Sequence, residues 1–119
     1  MINSILNSVK KDIGAGDPSF NVFDDTIIND INTVFFTLNQ LGVGPKKTFR
    51  IEDSSVEWDD FFTGREDIDA VKTFMSLNVH LLFDPPTNGT VVNIMKEQIA
   101  ELTWRLNVKE DPKEENADA

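Results

Sequence analysis

Asp67 to Phe83 reads DIDAVKTFMSLNVHLLF, and this stretch decides the fold. At about 100° per residue, Ile68, Val71, Met75, Val79 and Leu82 fall on one stripe of a helix, while Ala70, Phe74, Leu77 and Leu81 fall on a second. A helix that is apolar on two sides has to be covered on two sides, which places it at the centre of a bundle. It stops at Asp84, Pro85 and Pro86, because proline has no amide to donate and restricts the residue before it.

The flanking segments supply what covers it. Ile27, Ile28, Ile31, Val34, Phe35, Leu38 and Leu41 share one stripe, with Asp24 or Asp25 suited to the positive end of a helix dipole and Gly42 as the stop. Further upstream, Ile2, Ile5, Leu6, Val9 and Ile13 recur at helical spacing between a cap at Asn3 or Ser4 and a stop at Gly14. Ala15 to Val22 holds Gly16, Asp17, Pro18 and Ser19 and reads as a loop. Downstream, from Thr90 to about Val108, the residues Val92, Met95, Ile99, Leu102 and Leu106 are spaced as a seam for a neighbouring helix.

Between the second and the central helix the pattern is irregular. Thr48 to Ile51 alternates weakly and predicts a short strand, and Ser55 is the expected cap of one or two helical turns carrying Val56, Trp58, Phe61 and Phe62, closed by Gly64. The expected architecture is all-α: a bundle of about four helices with a short irregular insertion between the second and the central helix. One domain spans residues 1–108, and an acidic flexible tail follows over 109–119, where Pro112 and many charges leave almost nothing apolar to bury.

With 119 residues, 39% apolar and 27% charged, the composition fits one soluble globule. There is no cysteine, so disulfides, thiolate metal sites and thiol nucleophiles are excluded. No apolar run approaches the roughly 20 residues that span a bilayer, and Met1 to Ile13 carries Asn, Ser and Lys where a signal peptide is continuously apolar, so folding in a cytoplasm is expected. A net charge of −10 argues against reading nucleic acid, whose phosphates need Lys and Arg. The excess is local: Ile51 to Asp69 carries −7 and Lys109 to Ala119 carries −3, while the rest balances.

No catalytic, cofactor or metal site is expected. His80 is the sole histidine, which rules out two-histidine metal sites, and it shares a helix side with Asp69, Thr73 and Ser76, as a hydrogen-bonded polar-face residue does. Glu57, Asp59 and Asp60 lack the alternation, central glycine and terminal glutamate of a calcium loop. The pairs Gly14/Gly16 and Gly42/Gly44 lack the third glycine or the lysine of a phosphate cradle and read as helix stops.

Binding signals are clearer. Trp104 projects away from the last helix's seam, Val108 points the same way and Ile94 lies on the flank. Either another part of the chain covers them or a partner does, and tryptophan is enriched among interface anchors. Phe36 lies opposite its own stripe amid Asn29, Asn32, Thr33, Asn39 and Gln40, an uncharged polar setting suited to protein contact. Candidate interface residues are therefore Phe36, Asn32, Gln40, Ile94, Trp104 and Val108.

Four stretches taken together, INTVFFTLNQLGVGP (Ile31 to Pro45), WDDF (Trp58 to Phe61), VKTFMSLNVHLLFDPP (Val71 to Pro86) and AELTWRLNV (Ala100 to Val108), resemble the small head-tail connector proteins of long-tailed bacteriophages. These are also called adaptor or head-completion proteins, and the likeness is to those of phages and prophages of Gram-positive bacteria, over about Ile5 to Val108. The resemblance implies a virion protein of the neck, made in the host cytoplasm. It would form a ring, expected to be twelve-fold, beneath the portal protein, extend the DNA channel without binding DNA specifically, and receive the next neck or tail-completion protein. It also implies that the end of the last helix and the tail reach toward the portal. Within such a ring, Glu57, Asp59, Asp60, Glu66 and Asp67 are the candidate channel lining, and no membrane is involved. The competing expectation is a soluble helical assembly chaperone or regulator whose acidic surface binds a basic protein.

Overall fold

The structure, a computed structural model, describes residues 3–17, 19–62 and 68–110, with side chains as far as Asn107. Five helices follow one another: α1 (Ile5–Asp12), α2 (Asp24–Gln40), α3 (Trp58–Phe61), α4 (Ile68–Phe83) and α5 (Gly89–Glu110). The fold is all-α, with the four-residue α3 inside the irregular insertion. The proposed tail lies outside the described residues from 111 onward.

α4 is central, as its two apolar stripes require: it packs on α1 and α2 on one side and on α5 on the other. Val71, Phe74, Met75 and Val79 are fully buried, and α2 meets them with Ile27, Ile31, Val34, Phe35 and Leu38. Leu82 departs from its assignment and is 53% exposed. Phe83, one position further, turns inward instead, with its ring 5.6 Å from that of Phe23.

The helix ends follow from local chemistry. Ser4 caps α1 by accepting from the Asn7 amide at 3.2 Å, and Asn88 caps α5 by accepting from the Thr90 and Val91 amides at 2.8 and 3.3 Å. α5 begins at Gly89 and runs to Glu110, and it docks principally on α4 through Met95 and Leu106, with Ile99 and Leu102 partly buried.

The insertion is organised by its aromatic residues. Trp58 and Phe61 are buried and join Phe35, Phe49 and Phe62 in one cluster, with Phe35 and Phe61 at 5.0 Å and Trp58 stacked on Phe62 at 5.4 Å. Such ring pairs each add about 0.5–1.5 kcal/mol beyond the area they bury. The Trp58 indole donates to Ser8 Oγ at 2.8 Å, and Lys72 Nζ lies 5.9 Å from its ring centre. Gly44 makes room for this cluster: its φ is +96°, and a Cβ there would meet the Phe61 ring at 2.5 Å.

Two expectations change here. Thr48 to Ile51 is not a strand; among the described residues the only β pairing is an isolated antiparallel bridge between Ser4 and Glu57. The weak alternation is real, since Phe49 and Ile51 face inward, but the Ile51 backbone pairs with a side chain rather than with a second strand. Ser55 does not cap α3. Its amide and hydroxyl both donate to Asp53, and the α3 start is fixed instead by the Glu57 amide donating to Asp60 at 2.9 Å. Gly64, expected to close this turn, lies outside the described residues.

Candidate interaction surfaces

α5 carries the first surface. Its α4-facing side is docked, and that docking leaves Trp104 65% exposed and Ile94 50% exposed on the outward side. Exposed Glu101 pairs with Arg105 at 3.4 Å along the same helix. The Val108 side chain lies outside those described. Among the described residues nothing covers the tryptophan.

Phe36 on α2 carries the second surface. It is half exposed and lines a groove of about 250 Å³ with Asn29, Asn32, Thr33, Thr48 and Arg50. Gln40 is exposed one turn on. Asn39 donates to the backbone carbonyls of Pro45 and Lys46 at 3.3 and 3.0 Å, which holds the basic Lys46–Lys47 turn beside α2.

Asn32 lines that groove from below rather than standing exposed on it. It is buried, donating to the Ile51 carbonyl at 3.0 Å and accepting from the Ile51 amide at 2.8 Å. A buried amide with both ends satisfied by backbone is a structural clamp, and it holds the floor of that groove.

The acidic candidates divide. Glu57, Asp59 and Asp60 are exposed, while Glu66 and Asp67 lie outside the described residues. The first three have local work: Asn3 donates to Glu57 at 3.1 Å and to Asp59 at 3.3 Å, and Asp60 holds the start of α3. Among the described residues no cluster of His, Asp and Glu suits a metal ion. His80 lines a shallow groove of about 410 Å³ with Asp12, Asp69, Lys72, Thr73 and Ser76, where Ser76 donates to Asp12 at 2.7 Å.

Sequence reasoning missed a third surface. Phe20, Val22, Phe23 and Leu82 are all substantially exposed, and Phe20, Phe23 and Phe83 line a groove of about 580 Å³ with Asp17 and Asp84. The rings stack edge to face, Phe20 with Phe23 at 6.0 Å and Phe23 with Phe83 at 5.6 Å. Lys10 fixes this loop from beneath: its buried Nζ lies 2.9 Å from Asp24 and donates to the Phe20 carbonyl at 2.9 Å. The signal in the sequence was FNVF at Phe20 to Phe23, three apolar residues in four, which the preceding turn formers concealed.

Three separate exposed aromatic surfaces on one small helical domain are what an assembly subunit presents. A model of the phage connector protein family matches residues 5–113. The chain belongs to the phage connector protein family. This connector match reaches beyond Val108 to include the end of α5 and the first residues after it. No curated protein and no solved structure matches the chain. Among the described residues no helix is long and apolar enough to cross a membrane.

Proposed function

We propose that this connector is a head-tail adaptor subunit that forms a ring beneath the portal at the capsid vertex, extends the DNA channel and offers a surface to the next neck or tail component. It acts by assembly and catalyses nothing. The exposure of Trp104 carries this reading. A large aromatic side chain left in water after its helix has docked is apolar surface open to a partner, and tryptophan is enriched among the residues that anchor interfaces. Family membership supplies the virion context for that contact.

Ring closure requires two unlike faces per subunit, because head-to-tail contacts are heterologous. The Phe36 face lies on α2 and the Trp104 face on α5, so the first suits a ring neighbour and the second the next neck component. In a twelve-membered ring, charges of −10 per chain accumulate to about −120. Placed at the lumen, the exposed carboxylates of Glu57, Asp59 and Asp60 would repel DNA phosphates and let the genome slide without adhering. The test is to purify virions and map the chain in the neck by cryo-electron microscopy. A ring below the portal with these carboxylates toward the channel is expected. Absence of the chain from particles overturns the reading, and carboxylates confined to the outer rim remove the channel-lining part alone.

A further inference from the structure

We infer that the Phe20–Phe23–Phe83 groove is a socket for the Phe36 face of a second copy of this chain, and that the contact is a head-to-tail one steered by opposite charges. The inference rests on the ring-forming reading above and assigns the residues that would close the ring.

The two faces are unlike and complementary. The socket is lined by three phenyl rings and rimmed by exposed Asp17 and Asp84. Asp17 is kept ionised: its carboxylate accepts from the Ser19 hydroxyl and amide, and those bonds hold its pKa below the ordinary carboxylate value. The opposite face is a single half-exposed ring, Phe36, beside Arg50, with Lys46 and Lys47 held alongside by Asn39. Val43 to Arg50 has three basic residues and no acidic one.

Charge selects a copy of the same chain as the occupant. Chains of net −10 repel one another, so a favourable self-contact has to set the chain's concentrated positive charge against its negative charge. The Phe36 face is where that positive run lies, and the socket places two carboxylates around an apolar floor. The placement also suits a contact that propagates. Phe23 and Phe36 are thirteen residues apart along α2, so they lie about 20 Å apart along the helix axis and on different sides of it. One subunit can therefore fill its neighbour's socket while its own is filled by another. Lys10 keeps the socket preformed by tying the Phe20 carbonyl and Asp24 to α1, which lowers the ordering cost of binding.

The experiment is a charge exchange on the full-length chain, read by sedimentation across a range of concentrations at low salt. Arg50→Glu and Asp84→Arg are each expected to weaken self-association about tenfold, equivalent to about 1.4 kcal/mol. Combining them in one chain is expected to restore it, because the reversed charge on one face again meets a reversed charge on the other. Phe36→Ser should abolish association, and Trp104→Ala should leave it unchanged. The inference is overturned if the wild-type chain stays monomeric throughout, if the double variant fails to recover, or if Trp104→Ala dissolves the assembly. Particle composition is read separately: a chain present in virions whose single charge reversals do not alter association keeps the connector reading and loses this contact, whereas a chain missing from virions loses both.

Discussion

Asn32 and Ile51, nineteen positions apart, are joined by two hydrogen bonds in which one side-chain amide serves both backbone groups of the other residue. The clamp does for the insertion what a partner strand would otherwise do, and it fixes Phe49 and Ile51 against α2. Asn32→Ala leaves a buried amide and a buried carbonyl unpaired, each costing about 1–3 kcal/mol. A loss of about 3 kcal/mol is expected in urea unfolding, with an unchanged slope and a lower midpoint.

Lys10 is buried to 1% exposure and joins α1 to the loop that presents Phe20 and Phe23. Lys10→Met keeps the stem's packing but strands Asp24, which is only 24% exposed. A loss of about 1–2 kcal/mol is expected, smaller than for a fully buried pair because water reaches the carboxylate. Amide exchange should accelerate at residues 19–23 and not in α4, while Lys11→Met, on the exposed side, should change neither.

Asp30 gives the stability a pH dependence of unusual sign. Burial raises its pKa above the ordinary 3.8, and one carboxylate oxygen has no hydrogen-bond partner among the described residues. A carboxyl with a raised folded-state pKa binds more protons folded than unfolded, so stability falls as pH rises through the window above 3.8. Asp30→Asn is expected to melt higher than wild type at pH 7, with the difference vanishing below that window. Asp17 and Asp53 act oppositely: serine hydrogen bonds lower their pKa values, and their contribution is present above 3.8 and lost on acidification.

Trp104→Ala should leave the isolated chain folded, with its melting temperature within a degree or two of wild type, because the side chain is mostly in water already. Particles carrying the variant should accumulate as filled heads without tails, counted by electron microscopy. Global unfolding of the variant, seen by circular dichroism, would show the indole to be part of the core.

Most of the bundle was legible because its helices are long and their stripes continuous. α4 announced its central place through two apolar sides, and α2 through a single broad one. Trp104 and Phe36 were legible as exposed because each sits opposite a complete stripe. The clamp made by Asn32 was not legible: periodicity reports the side of a helix, but not that a returning loop packs on that side. The aromatic socket was hidden because it joins residues 20 and 23 to residue 83 through tertiary packing, which no local pattern encodes. The cap at Ser55 failed because two candidate oxygens, Asp53 and Asp60, were near enough to compete for the role.

Among the described residues α5 is fastened chiefly to α4, while α4 also packs on α1 and α2. A mechanical load applied at Trp104 therefore passes chiefly through that seam and the turn joining α4 to α5 before it spreads into the remaining helices. Tension along the helix axis shears Met95 and Leu106 together, whereas a sideways pull would peel them apart one after another. The joint is thus strongest when the structures it couples are drawn apart in the direction of α5, and weakest when they are bent across it.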